Sequence, residues 1–162
     1  MVKTVCWILF LGYLAVLTKN ILFKKNPRYY KNYFQTEYKH YKVKDGWQQA
    51  NTKPFSTIRL FYNSKRMNTE YKKNNLLGNI IGFIPFGFLL ALLIPWFRNG
   101  FKILFAGLLF SLGYEMMQLL FGLGVFDVDD LILNTTGSFI GFIIFLLVRS
   151  FVLIPIKKKA LN

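Results

Sequence analysis

Hydrophobic positions along this chain fall into four long blocks separated by polar stretches of very unequal length. The first block runs from Thr4 to Phe23, broken only by Lys19 and Asn20, the second from Leu76 to Phe97, the third from Phe101 to Phe121 and the fourth from Leu131 to Ile156. Each reaches the ~20 residues that a helix needs to cross about 30 Å of hydrocarbon. The pattern therefore predicts an all-α fold: a polytopic membrane helical bundle with four transmembrane helices (TM 4–23, 76–97, 101–121 and 131–156) in one domain over residues 1–162. The early half of the first block resembles a secretory apolar region. No small-x-small cleavage site follows it, so it reads as an uncleaved anchor. Arg98, Asn99 and Gly100 leave room only for a tight hairpin between the second and third spans.

Residues 24–75 form the one sizeable extramembrane loop. Seven of the nine tyrosines lie there among lysines, a mixture suited to the headgroup level, where rings and ammonium groups both sit well. Within it, Pro54 could open a short helix, with Phe55, Ile58, Phe61 and Tyr62 on one face. That segment reads either as a short interfacial or re-entrant helix or as a covered loop with some buried aromatics.

Polar residues inside the apolar blocks change the picture most. A carboxylate within a span costs roughly 2.5–3.5 kcal/mol on insertion scales, so it normally faces a protein interior and marks a working site. In the third block Gly107, Ser111, Glu115, Gln118 and Gly122 recur at helical spacing, which places them on one stripe. Asp130, Asn134, Gly137 and Gly141 do the same in the fourth block, and Asn75, Gly78 and Gly82 in the second, with Asn79 alongside. Small residues at these positions, with Gly87, let helices approach closely. Three matching stripes predict three helices around a shared interior, with the polar groups toward one membrane face. Pro85 should kink the second helix and free carbonyls toward that interior.

The acidic run Asp127-Val128-Asp129-Asp130 supports three readings: helix capping, a site for a cation or cationic ligand, and ion pairs with loop lysines. Oxygen ligands of this kind suit a hard divalent cation, so Asp127, Asp129 and Asp130 are the candidate metal ligands. No other cofactor is indicated. Glu115 reads either as a functional carboxyl or as a protonated structural one paired with Gln118 or Asn134.

Composition removes several alternatives. Cys6 is the only cysteine and His40 the only histidine, which leaves no disulfide framework, catalytic triad or multi-histidine zinc site. The net charge is +14, and residues 24–75 carry thirteen of the twenty-one basic side chains. These are strung between membrane segments without a nucleic-acid motif, so membrane lipids or wall polymers are the expected partners and nucleic acid is not.

One ordered set of residues resembles the VanZ-like family of bacterial membrane proteins. The set is Asn51-x-x-Pro54-Phe55-x-Thr57-Ile58, then Gly78-Asn79-Ile80-Ile81-Gly82-Phe83-Ile84-Pro85-Phe86-Gly87-Phe88, then Ser111-x-x-x-Glu115-x-x-Gln118. It ends with Phe126-Asp127-Val128-Asp129-Asp130-Leu131-x-x-Asn134-Thr135-x-Gly137-x-x-x-Gly141. Gly124 stands where many members carry a basic residue, so the ion pair such a residue would make is not expected here. The resemblance implies reduced sensitivity to teicoplanin, a lipoglycopeptide that binds wall precursors outside the cell, without supplying a reaction. Cell-wall precursor and lipoglycopeptide join lipid as candidate partners, and oligomeric state is left open.

Charge counts conflict over orientation. The long basic loop favours its own placement inside, whereas the basic residues of the short segments (Lys3, Arg98, Lys102 and Lys157–Lys159) favour the opposite. The resemblance favours both termini in the cytoplasm of a bacterial cell, with the polar site outward. Three function classes follow: a non-enzymatic surface-acting protein, a membrane-embedded metal-assisted enzyme for a lipid-linked envelope substrate with Glu115 as general acid or base, and a proton-coupled carrier.

Overall fold

The computed structural model describes residues 2–35, 38–64 and 68–153. Seven α-helices make up these residues: α1 Val2–Leu22, α2 Pro27–Gln35, α3 Tyr38–Gln48, α4 Ser56–Asn63, α5 Thr69–Leu93, α6 Gly100–Leu120 and α7 Val128–Val148. Short turns of 3-10 type at Pro95–Phe97 and of π type at Arg149–Leu153 follow α5 and α7. Four helices are long and apolar enough to cross a membrane, over Lys3–Leu22, Asn75–Leu93, Gly100–Leu120 and Val128–Phe151.

The ends of these helices follow from local chemistry. The second apolar block outlasts its helix, because α5 stops at Leu93 rather than Phe97. Ile94 is extended, as a residue before proline prefers, and Arg98 Nε donates to the Ala91 carbonyl that the helix end leaves free. Asn99 opens α6, its side chain accepting from the N–H groups of Phe101 and Lys102. Helix α7 begins at Val128, three residues before the apolar block, because Asp127 caps it. The part of the fourth predicted span beyond residue 153 lies outside the described residues.

Packing between α5 and α7 is close enough to require glycine. A methyl group on Gly87 would overlap the Ser138 carbonyl; on Gly137 it would meet the Ile80 carbonyl, and on Gly141 the Ile84 carbonyl. Gly107 lets α6 close on the Ser138 side chain, whose Oγ would lie 2.6 Å from an added Cβ. Ser111 is fully buried on the same stripe. Gly78 and Gly82 pack less closely: a Cβ on Gly78 would meet nothing within 4 Å, whereas one on Gly82 would make an ordinary contact with a Leu17 methyl of α1 at 3.6 Å. Gly122 also leaves the stripe, lying beyond α6 in a turn at φ +62, where glycine is favoured.

Helix α5 runs unbroken through Pro85. The Gly82 carbonyl, one turn before it, accepts a hydrogen bond from the Tyr13 hydroxyl of α1 at 2.7 Å. Two more polar ties hold α1 against α6: Thr18 Oγ1 to the Tyr114 hydroxyl at 2.7 Å, and Gln118 Nε2 to the Ile21 carbonyl at 3.0 Å. Beneath them Phe83, Phe86, Phe110 and Tyr114 form the aromatic centre of the core, with the Phe86 and Phe110 rings stacked at 4.7 Å.

The long loop is largely helical. Helices α2 and α3 were not anticipated, although Asn26-Pro27 carries the signal: Asn26 Oδ1 accepts the Tyr29 N–H, and Pro27 takes the first helical position. Helix α4 starts at Ser56 rather than Pro54, because Phe55 adopts a left-handed backbone with φ 64. Its expected apolar face is accordingly split: Phe61 is buried, whereas Phe55 and Tyr62 are exposed. These short helices cover one end of the bundle. The Tyr33 hydroxyl of α2 donates to the Gly122 carbonyl at 2.8 Å, Gly46 of α3 lies against Gly124, and α4 packs on α7.

Candidate functional site

At that same end, the close of α1, the start of α5, the close of α6 and the start of α7 surround a polar cavity of about 330 Å³. Asn20 and Lys24 line it from α1 and the residues just after it, Asn75, Gly78, Asn79 and Gly82 from α5, Glu115 and Gln118 from α6, and Asp130 and Asn134 from α7. Lys24 is exposed and stands at the mouth. The helical spacing of the stripes accounts for the convergence, because each lining set occupies one face of its helix. Five of the seven polar residues expected to share an interior meet here: Asn79, Glu115, Gln118, Asp130 and Asn134.

Their hydrogen bonds differ from the expected pairings. Glu115, only 2% exposed, hydrogen-bonds to neither Gln118 nor Asn134; its Oε2 accepts the Asp127 backbone N–H at 2.9 Å. Gln118 is directed to α1 and Asn134 Nδ2 to Ser111 Oγ at 2.8 Å. Asp130 Oδ1 accepts from Asn79 Nδ2 at 2.6 Å. One oxygen of each carboxylate is thus held by a protein donor while the other has no such bond among the described residues. Asn134 Oδ1 is buried without a partner.

Asp127 and Asp129 serve a different purpose. Asp127 Oδ1 accepts the Asp129 N–H at 2.8 Å and Asn51 Nδ2 at 2.7 Å, while Oδ2 accepts the Thr57 hydroxyl at 2.6 Å. Asp129, fully buried, turns to α4: its oxygens accept the backbone N–H groups of Phe55, Thr57 (2.7 Å) and Ile58 (3.0 Å). These are donors that the start of a helix leaves without intrahelical partners. Asn51 completes a clasp, its N–H donating to the Phe126 carbonyl at 2.8 Å and its carbonyl accepting the Val128 N–H at 2.9 Å. Ser56 Oγ and the Lys53 N–H both donate to Asn51 Oδ1.

The acidic run therefore divides its labour, and Asp127, Asp129 and Asp130 do not turn toward one common point. Two of the three are occupied by N–H and O–H donors of the clasp, and the third faces the cavity. Among the described residues no three His, Cys, Asp or Glu side chains converge in a way that would hold a metal ion. Asn51 and Thr57 were visible in the sequence only through the family resemblance. Gly124 lies against the Gln118 side chain, with an added Cβ 3.1 Å from its amide carbon.

Comparison with known proteins identifies relatives of this chain. The chain is 42% identical over 67 residues to Protein VanZ of Enterococcus faecium, a match covering 41% of this chain and 40% of that protein. The matched stretch thus spans well under two thirds of that relative's length. No solved structure matches the chain. The sequence profile of the VanZ/LLP1 family matches residues 10–149, which takes in α2–α7 and most of α1, and the chain belongs to this family as a multi-pass membrane protein.

Proposed function

We propose that this protein lowers susceptibility to glycopeptide antibiotics of the teicoplanin kind, acting at the cell surface through the polar cavity between α1, α5, α6 and α7. The observation that carries the reading is the division between the two polar clusters. The clasp of Asn51, Thr57, Asp127 and Asp129 satisfies its own hydrogen-bonding groups. The cavity leaves acceptors on Glu115, Asp130 and Asn134 uncommitted. Buried polar groups are ordinarily paired, so open ones gathered in a cavity are what a ligand site supplies. In this reading both termini are cytoplasmic and α2–α4 lie on the outer face of a bacterial membrane, where wall precursor and drug meet.

The test is expression in a teicoplanin-sensitive host. Cells carrying the parent chain should tolerate more drug than cells carrying an empty vector, and Glu115→Gln should remove most of the difference at equal membrane abundance. An unchanged susceptibility with the parent chain would end this reading.

The pairing of Glu115 and Asp130 in one cavity also favours a second reading, a membrane-embedded enzyme for a lipid-linked envelope substrate, with one carboxyl as general base and the other as acid. It requires a changed lipid-linked product in cells expressing the parent and none with Glu115→Gln.

A further inference from the structure

The chemistry of the cavity narrows what it can hold, an inference that rests on its being the working site. Among the described residues, three oxygen acceptors on side chains that line the cavity lack a protein donor: the second oxygens of Glu115 and Asp130, and Asn134 Oδ1. Asn134 is 4% exposed and its other amide atom is committed to Ser111, so the free oxygen is oriented and cut off from bulk solvent. An oxygen left in this way is unfavourable unless something donates to it. The wall thus calls for a compact group with several N–H or O–H donors, and two carboxylates call for positive charge. Lys24, the one lysine among the described residues that line the cavity, is exposed and favours an anion beside it. A donor-rich cation inside and an anion at the mouth describe a short zwitterion.

We propose that the cavity binds a zwitterion with a primary ammonium group, of the phosphoethanolamine class, its ammonium held by Glu115, Asp130 and Asn134 and its phosphate facing Lys24. A primary ammonium carries three N–H donors, which matches three open acceptors. A quaternary ammonium of equal charge has none, so a choline head group would leave all three unpaired. A cavity of about 330 Å³ is at the small end of ligand sites, as a head group or small solute requires. The ligand could be a phospholipid head group or the soluble zwitterion, and the same chemistry serves both.

The experiment uses the full chain purified in detergent. Native mass spectrometry compares retention of phosphatidylethanolamine with that of phosphatidylcholine of identical acyl chains. Calorimetry on the chain in phosphatidylcholine nanodiscs titrates free phosphoethanolamine against phosphocholine. The primary amine should be favoured at least tenfold in at least one arm, and the arm that shows the preference identifies the source. Asp130→Asn and Glu115→Gln, both isosteric, should each reduce the preference tenfold or more, whereas Lys102→Gln, at the far end of α6, should leave it intact. Equal affinity for primary and quaternary amines in both arms would overturn the inference, as would a preference that survives both substitutions. The outcome is separable from the resistance reading: Glu115→Gln abolishing protection without any amine preference sinks only this inference. Amine binding by a chain that gives no protection sinks only the other.

Discussion

Asp129 of α7 accepts the Thr57 backbone N–H at 2.7 Å and so caps a helix that lies seventy residues earlier in the chain. Membrane carboxylates invite a functional reading, and this one is the most deeply buried among the described residues, yet its oxygens are filled by three backbone donors of α4. Asp130, the next residue, points the other way into the cavity. Neighbouring aspartates thus divide between building the site and lining it.

That division is measurable. Asp129→Ala leaves three backbone donors at the start of α4 without an acceptor. It should cost about 1–3 kcal/mol in thermal unfolding of the detergent-solubilised protein followed by circular dichroism. Trypsin should also cut faster at Arg59. Asp130→Asn should unfold within a few degrees of the parent, because Asn79 can still donate to the amide oxygen. Equal loss in both variants would mean that the two aspartates share one structural role.

Glycine substitutions should separate along the same line. Gly137→Ala and Gly141→Ala place a methyl group against backbone carbonyls of α5, which cannot move without displacing the helix. About 1–3 kcal/mol or more of stability should be lost in each, seen as a lower unfolding temperature and reduced membrane accumulation. Gly78→Ala adds its methyl to open space on the cavity wall and should leave stability unchanged.

Topology can be tested by thiol labelling. With Cys6 replaced by Ser, a cysteine at Asp45 of α3 should react with an impermeant maleimide on intact cells. A cysteine at Trp96, in the exposed turn between α5 and α6, should react only after permeabilisation. The reverse order would place the cavity on the cytoplasmic side.

The sequence carried the bundle legibly, because four apolar blocks and three small/polar stripes are periodic signals that a helix preserves. Glu115, Gln118, Asn134, Asn79 and Asp130 could be placed together on that basis. The individual hydrogen bonds could not, since helical spacing says which face a residue occupies and nothing of which neighbour it meets. The clasp was illegible for another reason. Asn51 and Asp127 pair across a long sequence separation through an isolated parallel bridge, and such a contact leaves no pattern in either segment. Helix ends were misplaced where a proline or a cap overruled hydrophobicity, at Ile94 and at Asp127.

The most direct measurement is the teicoplanin susceptibility of cells expressing Glu115→Gln, read beside the amount and unfolding temperature of the protein in the membrane. The amide keeps an oxygen to accept the Asp127 N–H, so the fold should persist at parental abundance. With the carboxylate gone, most of the protection should be lost, and Asp130→Asn should lose it as well. Glu115→Leu should lose protection and stability together, because the Asp127 N–H would then be left without its acceptor. Full protection by a stably folded Glu115→Gln protein would contradict the account, since it would make Glu115 a packing residue and the cavity a by-product of helix geometry.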